Sequence, residues 1–269
     1  MRKYGWPPFA AAFLFLLALP ASAGLRAGAA RRPVTPNLTK HAPVYMEGFG
    51  QNRVATGIHD DLWARCLKLA ADRTPRVLCG VDSIGLFLED VERIRAKAHA
   101  RLGAADVVVA ATTGLWGPKM GVSGINEEYN QFVVEQTAAA AVQAVRSLRP
   151  ARVRTSKVST PELDGFLNDT HPPVVHDSEL VVLSATGRDG RAIGALVNWA
   201  DHPETLGSKN TLVTADYPAF FYPRMEELTG GVAVLINGAI GGMQSSLGAK
   251  VTDPKTGQPA PADSFRMAE

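Results

Sequence analysis

Only two cysteines, Cys66 and Cys79, occur in 269 residues, so no disulfide framework can stand in for a hydrophobic core. The formal net charge is just +2, which lacks the basic excess that marks phosphate-binding surfaces and excludes a nucleic-acid partner. Repeats at solenoid or propeller periods are missing. With 25 Gly and 18 Pro the chain has too little of either for a collagen-like or low-complexity segment. What remains is an ordinary globular composition, 46% hydrophobic and 20% charged, in a chain long enough to bury a sizeable core.

One long apolar run is present, at the N-terminus. Arg2 and Lys3 precede the stretch 9–19, and Ala21-Ser22-Ala23 supplies the small residues that signal peptidase needs. A membrane-spanning helix needs about 20 apolar residues, and this run is nearer a dozen. Residues 1–23 therefore read as a signal peptide cleaved before Gly24, and the expected location is secreted or periplasmic. Removing Arg2 and Lys3 takes the formal charge to about zero. With no second such run, contact with a membrane is expected to be peripheral only.

Residues 24–44 carry no apolar period over their first half and read as a leader or linker without structure of its own; residues 45–269 form the domain. Short apolar stretches at 62–69 and 76–81, separated by a turn around Asp72-Arg73, predict a hairpin. Val91, Ile94, Ala98 and Leu102 are spaced three or four apart and predict an amphipathic helix over 89–102. The continuous apolar run 106–111 predicts a strand covered on both faces. A helix over 127–148 stops before Pro150, and strands are expected at 152–158, 179–185, 192–199 and 232–236, with Gly187-Arg188-Asp189-Gly190 turning one hairpin. A third helix is expected over 218–228, with Pro218 in its first turn. Strands interleaved with long helices imply an α/β fold, a layered sandwich with a mixed β-sheet flanked by helices. The stretch 250–269 reads as an exposed loop with no closing element.

Several residues could carry chemistry. His202 follows the apolar strand 193–199 in Asn198-Trp199-Ala200-Asp201-His202-Pro203, at the strand's C-terminal end where α/β folds place ligands; it is either a metal ligand or a histidine bonded to nearby backbone. His59, His99, His171 and His176 form no His-x-His or His-Glu-x-x-His pair. Asp82 and Asp216 sit at element ends, and Asp216 could equally cap the helix that opens near Pro218. The loop from Asn237 through Gly238, Gly241 and Gly242 to Ser245 and Ser246 follows the last strand. Its glycines let backbone N–H groups approach an oxyanion, or simply make a tight turn, and Ser245 or Ser246 is a nucleophile if a base or metal activates it. Cys66 and Cys79 lie symmetrically about the proposed turn, either bonded across the hairpin or as two small buried hydrophobes.

In order, the blocks Gly48-Phe49-Gly50, Ala55-Thr56-Gly57-Ile58-His59-Asp60-Asp61, Asp82-Ser83-Ile84-Gly85, Gly114-Leu115-Trp116-Gly117-Pro118, Ser123-Gly124-Ile125-Asn126, Asn198 through Pro203, Leu212-Val213-Thr214-Ala215-Asp216-Tyr217-Pro218 and Asn237-Gly238-Ala239-Ile240-Gly241-Gly242 resemble the N-terminal catalytic domain of the neutral/alkaline non-lysosomal ceramidases. The resemblance implies an exported zinc amidohydrolase that cleaves the N-acyl bond of ceramide or a related lipid amide. It implies His202 as a zinc ligand, and a cleft lined by Asp216 and the Asn237, Gly238, Gly241 and Gly242 loop, with Ser245 as the catalytic serine if the register shifts by one from Gln244.

The departures from the family pattern point elsewhere. Family members carry a Thr-His-x-His-x-Gly-Pro block after the strand matching 107–111, whereas here Thr112 runs directly into Thr113-Gly114. Threonine and leucine do not replace imidazole as zinc ligands. Two further family ligands, a glutamate and a tyrosine, fall beyond Glu269, so the resemblance implies a domain truncated at its C-terminal end. The alternatives are a catalytically inactive or incomplete homologue, or an exported lipid-binding module that keeps the cleft alone.

Overall fold

The computed structural model describes residues 24–50, 52–71, 76–103, 106–114, 126–169, 171–241 and 245–269. Residues 1–23, read from the sequence as a signal peptide, residues 72–75, where a turn is expected, the block 115–125 and Gly242 lie outside them. In chain order the elements are β1 (Arg26–Pro33), β2 (Gly57–Ile58), β3 (Trp63–Ala70), β4 (Arg76–Val81), α1 (Leu88–Leu102), β5 (Asp106–Ala111), α2 (Glu127–Arg146) and β6 (Arg149–Ser159). A 3₁₀ turn at Pro161–Phe166 leads to β7 (Glu179–Gly187), β8 (Ala192–Trp199), β9 (Leu212–Val213), α3 (Tyr217–Thr229), β10 (Val232–Asn237) and α4 (Phe265–Ala268).

Eight strands form one mixed sheet in the order β10-β8-β7-β6-β1-β3-β4-β5. The pairs β10/β8 and β4/β5 are parallel and the others antiparallel. The sheet twists until its two halves face each other. Ala27 and Leu67 from one half meet Ala185, Ile193, Leu196 and Val234 from the other in a single apolar cluster. Helices α1 and α2 cover the outer face of the β1, β3, β4 and β5 half through Ile94, Ala98, Val133, Val134 and Ala138. Helix α3 covers β8 and β10 through Tyr222, packed on Val197, Ala233 and Leu235. The architecture is a layered α/β sandwich, as the alternation of strand and helix patterns implies.

Alternation along β3 sorts the layers: Ala64 and Cys66 face the helices, while Leu67 and Leu69 face the opposing half-sheet. Cys66 pairs directly with Cys79 across the β3/β4 hairpin and the two are joined as a disulfide, with Cα atoms 4.1 Å apart. Helix α2 starts where Asn126 caps it, the side-chain carbonyl accepting from the Tyr129 N–H at 3.0 Å. Helix α1 stops at Gly103, which has φ 78°.

Three expectations need correction. The segment 24–44 is not a structureless leader: it contains β1, which pairs with β3 and β6 near the centre of the sheet. Its run of small residues lacks an apolar period because α2 presses against it; an added Cβ on Gly28 would collide with the Ala144 carbonyl oxygen. β5 is not covered on both faces, for it is the sheet's edge and Val108 is 43% exposed. The stretch 250–269 is not an open loop, since α4 folds back with Met267 and Ala268 buried. The Phe265 ring stacks on His59 with centroids 3.5 Å apart. Among the described residues no helix is long and apolar enough to cross a membrane.

The half-sheets approach closely at Gly80, where an added Cβ would run into the Leu235 carbonyl oxygen of β10. Backbone on both sides leaves no soft neighbour to yield, so Gly80→Ala is expected to cost about 2 kcal/mol, against a gain of at most about 1 from lost chain entropy. Urea denaturation measures it, and an unchanged or raised midpoint would contradict this packing.

Candidate functional site

The two parallel pairs β4/β5 and β8/β10 end at the same place, so the residues just past their C-terminal ends converge. Asp82 follows β4, Thr112 and Thr113 follow β5, Asp201 and His202 follow β8, and Asn237 closes β10. One side chain ties them together. The Asn237 Nδ2 donates to the Thr112 carbonyl at 2.8 Å, the Thr113 hydroxyl at 2.9 Å and the Asp201 carbonyl at 3.1 Å. The turn after it is held by the Gly238 N–H donating to the Trp199 carbonyl at 2.8 Å. An added Cβ on Gly238 would press on Ala200 at 3.2 Å, so glycine is what lets the two strand ends approach. Gly114, the last described residue before the 115–125 block, stands beside Pro203. The end of β5 therefore lies next to the Asp201-His202-Pro203 segment.

Buried carboxyls surround this point. Asp82 accepts from the Trp63 N–H at 2.9 Å and the Tyr222 hydroxyl at 2.9 Å. Burial pushes it up to about 6, offset in part by Arg65 and by those two donors. Asp201 is fully buried and neither carboxyl oxygen has a hydrogen-bond partner. Desolvation, then the nearby Asp216 and Glu204, raise it well above the usual carboxylate range; the Ser246 backbone N–H lies near but does not close a hydrogen bond. Asp216 occupies φ 65° at the start of α3. It accepts from the Thr205 N–H at 3.0 Å, the Thr205 hydroxyl at 2.8 Å and the Tyr217 N–H at 2.7 Å. It is thus a helix cap and also the anchor of the loop after His202.

Ser245 is buried, and its Oγ donates to Glu204 Oε2 at 2.6 Å while accepting from the Leu247 N–H at 3.0 Å. Its backbone bridges both Asn168 and His202. Half-buried His202 also meets Ser246, whose hydroxyl reaches the His202 carbonyl at 3.4 Å. His202, Asn237, Gly238, Asp216 and Ser245 are accordingly one neighbourhood, whereas at Gly241 an added Cβ would meet nothing within 4 Å and Gly242 lies outside the described residues. Among the described residues no group of three or more His, Cys, Asp or Glu is placed to hold a metal. The segment 115–125 contains none of these residue types. A zinc ion thus finds one candidate ligand, His202, and not the three or four that such sites use.

Four participants escaped the sequence reading: Trp199, Asp201, Glu204 and Thr205. The signal for Asp201 was available, an acid directly after an apolar strand and beside the histidine already singled out. Trp199 and Asp201 open onto a cavity of about 530 Å³ walled by Leu163, Phe166, Tyr217, Phe220 and Phe221. The C-terminal segment closes it with Val251 and Met267.

Two predictions follow from this geometry. Because Asp82 binds its proton more tightly folded than unfolded, it contributes stability that is fully present below about pH 4 and lost as the pH rises through about 6. Asp82→Asn should remove that fall, seen as a flatter dependence of the urea midpoint between pH 4 and 7; an unaltered slope would contradict it. Asn237→Ala leaves three acceptors without their shared donor and should cost about 2–3 kcal/mol in the same assay, a loss under 0.5 kcal/mol being contrary.

No family model matches the chain, and no curated protein matches it. Solved structures do. A neutral ceramidase from Pseudomonas aeruginosa superposes with TM-score 0.74 at 20% identity, over 90% of this chain and 42% of that one. A ceramidase complexed with C2 superposes with TM-score 0.72 at 21% identity, over 84% of this chain and 39% of that one. The fold is that of these ceramidases, and the chain spans about two fifths of their length.

Proposed function

We propose that the chain is an exported lipid-amide hydrolase domain of the neutral-ceramidase type, acting on the N-acyl bond of ceramide or a related lipid amide at a membrane surface it meets only peripherally. The observation that carries this reading is the apolar cavity at the end of β8, beside α3, set in a fold that matches ceramidases over most of the chain. Aromatic walls suit an acyl chain, and Trp199 and Asp201 in the lining suit the amide it carries. In this reading Ser245 is the nucleophile and Glu204, already accepting its hydroxyl, is the group that takes its proton. Asn237 positions the site through its amide nitrogen, which donates to Thr112, Thr113 and Asp201. Signal-peptide cleavage before Gly24 would leave β1 whole, since it begins at Arg26.

Zinc is the part of this reading that the side chains do not support. His202 alone does not make a zinc site, so no step is assigned to the metal. That observation favours a second reading, a lipid-binding module that holds its ligand without cleaving it.

Zinc analysis of the purified chain, paired with fatty-acid release from labelled ceramide, separates the two. The hydrolase reading expects release, and a loss of at least about 100-fold in Ser245→Ala. Labelled ceramide bound but not cleaved, with no zinc, establishes the binding module, and neither binding nor release contradicts both.

A further inference from the structure

We infer that the Trp199 indole N–H and the Asp201 carboxyl form a recognition pair for the polar group of an apolar ligand, one that presents a hydrogen-bond donor beside an acceptor, as a secondary lipid amide does. This names the specificity element of the cavity and rests on the lipid-amide reading above.

Trp199 Nε1 and both Asp201 oxygens are buried and have no hydrogen-bond partner. Buried polar groups are paired as a rule, and of the unpaired ones among the described residues those of Trp199 and Asp201 alone belong to residues that line this cavity, so they mark what a ligand is to fill. They stand two residues apart at the end of β8 and line the same cavity. The tryptophan is held by its edge-on contact with Tyr217, centroids 5.5 Å apart. The neighbouring acids are already engaged, Glu204 by Ser245 and Asp216 by Thr205 and Tyr217, so Asp201 is the carboxyl left to meet a ligand. A cation does not fit this vacancy, since no group of three ligating side chains surrounds it among the described residues.

The chemistry of the pair defines the ligand. Indole N–H donates only and requires an acceptor such as a carbonyl oxygen. The Asp201 carboxyl, ionised or not, presents an oxygen that only accepts, and that oxygen requires an N–H or O–H. A secondary amide supplies both within one functional group, whereas the matching ester has the carbonyl but no N–H, and an N-methyl amide likewise. A site built to receive a donor rejects the analogue lacking it, because its own acceptor then stays unpaired.

The test is calorimetric titration of the full chain with a short-chain N-alkyl fatty amide, the matching ester, the N-methylated amide and a short-chain ceramide. The wild-type chain should bind the secondary amide roughly tenfold tighter than the ester or the N-methyl amide. Asp201→Leu should level the three ligands and raise the melting temperature, because it removes a buried carboxyl without partners. A purely structural aspartate would give the opposite shift. Trp199→Phe keeps the ring and should weaken all three ligands by roughly tenfold without changing their order. Equal wild-type affinity for amide and ester, or a preference that survives in Asp201→Leu, overturns the inference. Ceramide binding without any amide preference overturns this pair and leaves the proposed function standing. Amide preference without ceramide binding does the reverse, and no binding of any lipid defeats both.

Discussion

The nitrogen of one amide, Asn237 Nδ2, holds the ends of three strands and the loop beyond them in register. It donates to Thr112 and Thr113 past β5 and to Asp201 past β8, from its own place at the end of β10. β5 and β10 belong to opposite halves of a sheet that faces itself, and they are at its two edges. Nothing in the ladder of strand hydrogen bonds joins them. The close approach of Gly80 to Leu235 brings the halves near enough, and the asparagine then fixes their ends relative to one another. Every feature of the candidate site is measured from that point.

Fixing those ends has an electrostatic cost. Three acids, Asp201, Glu204 and Asp216, are gathered in a region that excludes water, and the other two raise the energy of ionising Asp201. Asp216 and Glu204 are compensated by donors from the chain, and Asp201 is not. Structure alone has no use for such a group, because an apolar residue of the same size would serve the fold better. Its position in the lining of an aromatic-walled cavity is therefore best understood through what enters the cavity. The same reasoning separates Asp201 from Asp82, another buried carboxyl, which is satisfied by Trp63 and Tyr222 and belongs to the packing of α3.

Periodic segments were legible from residues alone. The spacing of Val91, Ile94, Ala98 and Leu102, the alanine-rich face of α2, and the hairpin with Cys66 opposite Cys79 all appear where the pattern puts them. β1 was not legible, because its alanines and glycine are set by how near α2 must come and not by an apolar period. The C-terminal segment was obscured by its proline and glycine content, which hides a short helix held by Phe265 on His59. At the site, His202, Asn237, Gly238 and Ser245 could be read from their position after strands. The convergence that makes Trp199 and Asp201 a pair could not, since it depends on which cavity two adjacent loops enclose. The resemblance to ceramidases, drawn from short ordered blocks, agrees with a fold likeness at about 20% identity.

The central claim is that the cavity at the end of β8 takes a lipid amide with its polar group at Trp199 and Asp201. A crystal structure of the chain grown with a short-chain N-acyl amide examines this most directly. The account predicts density for the amide within hydrogen-bonding distance of Trp199 Nε1 and an Asp201 oxygen, with the acyl chain running along Tyr217, Phe220 and Phe221. An empty cavity at saturating ligand, or a ligand bound with its polar group away from both residues, would contradict it.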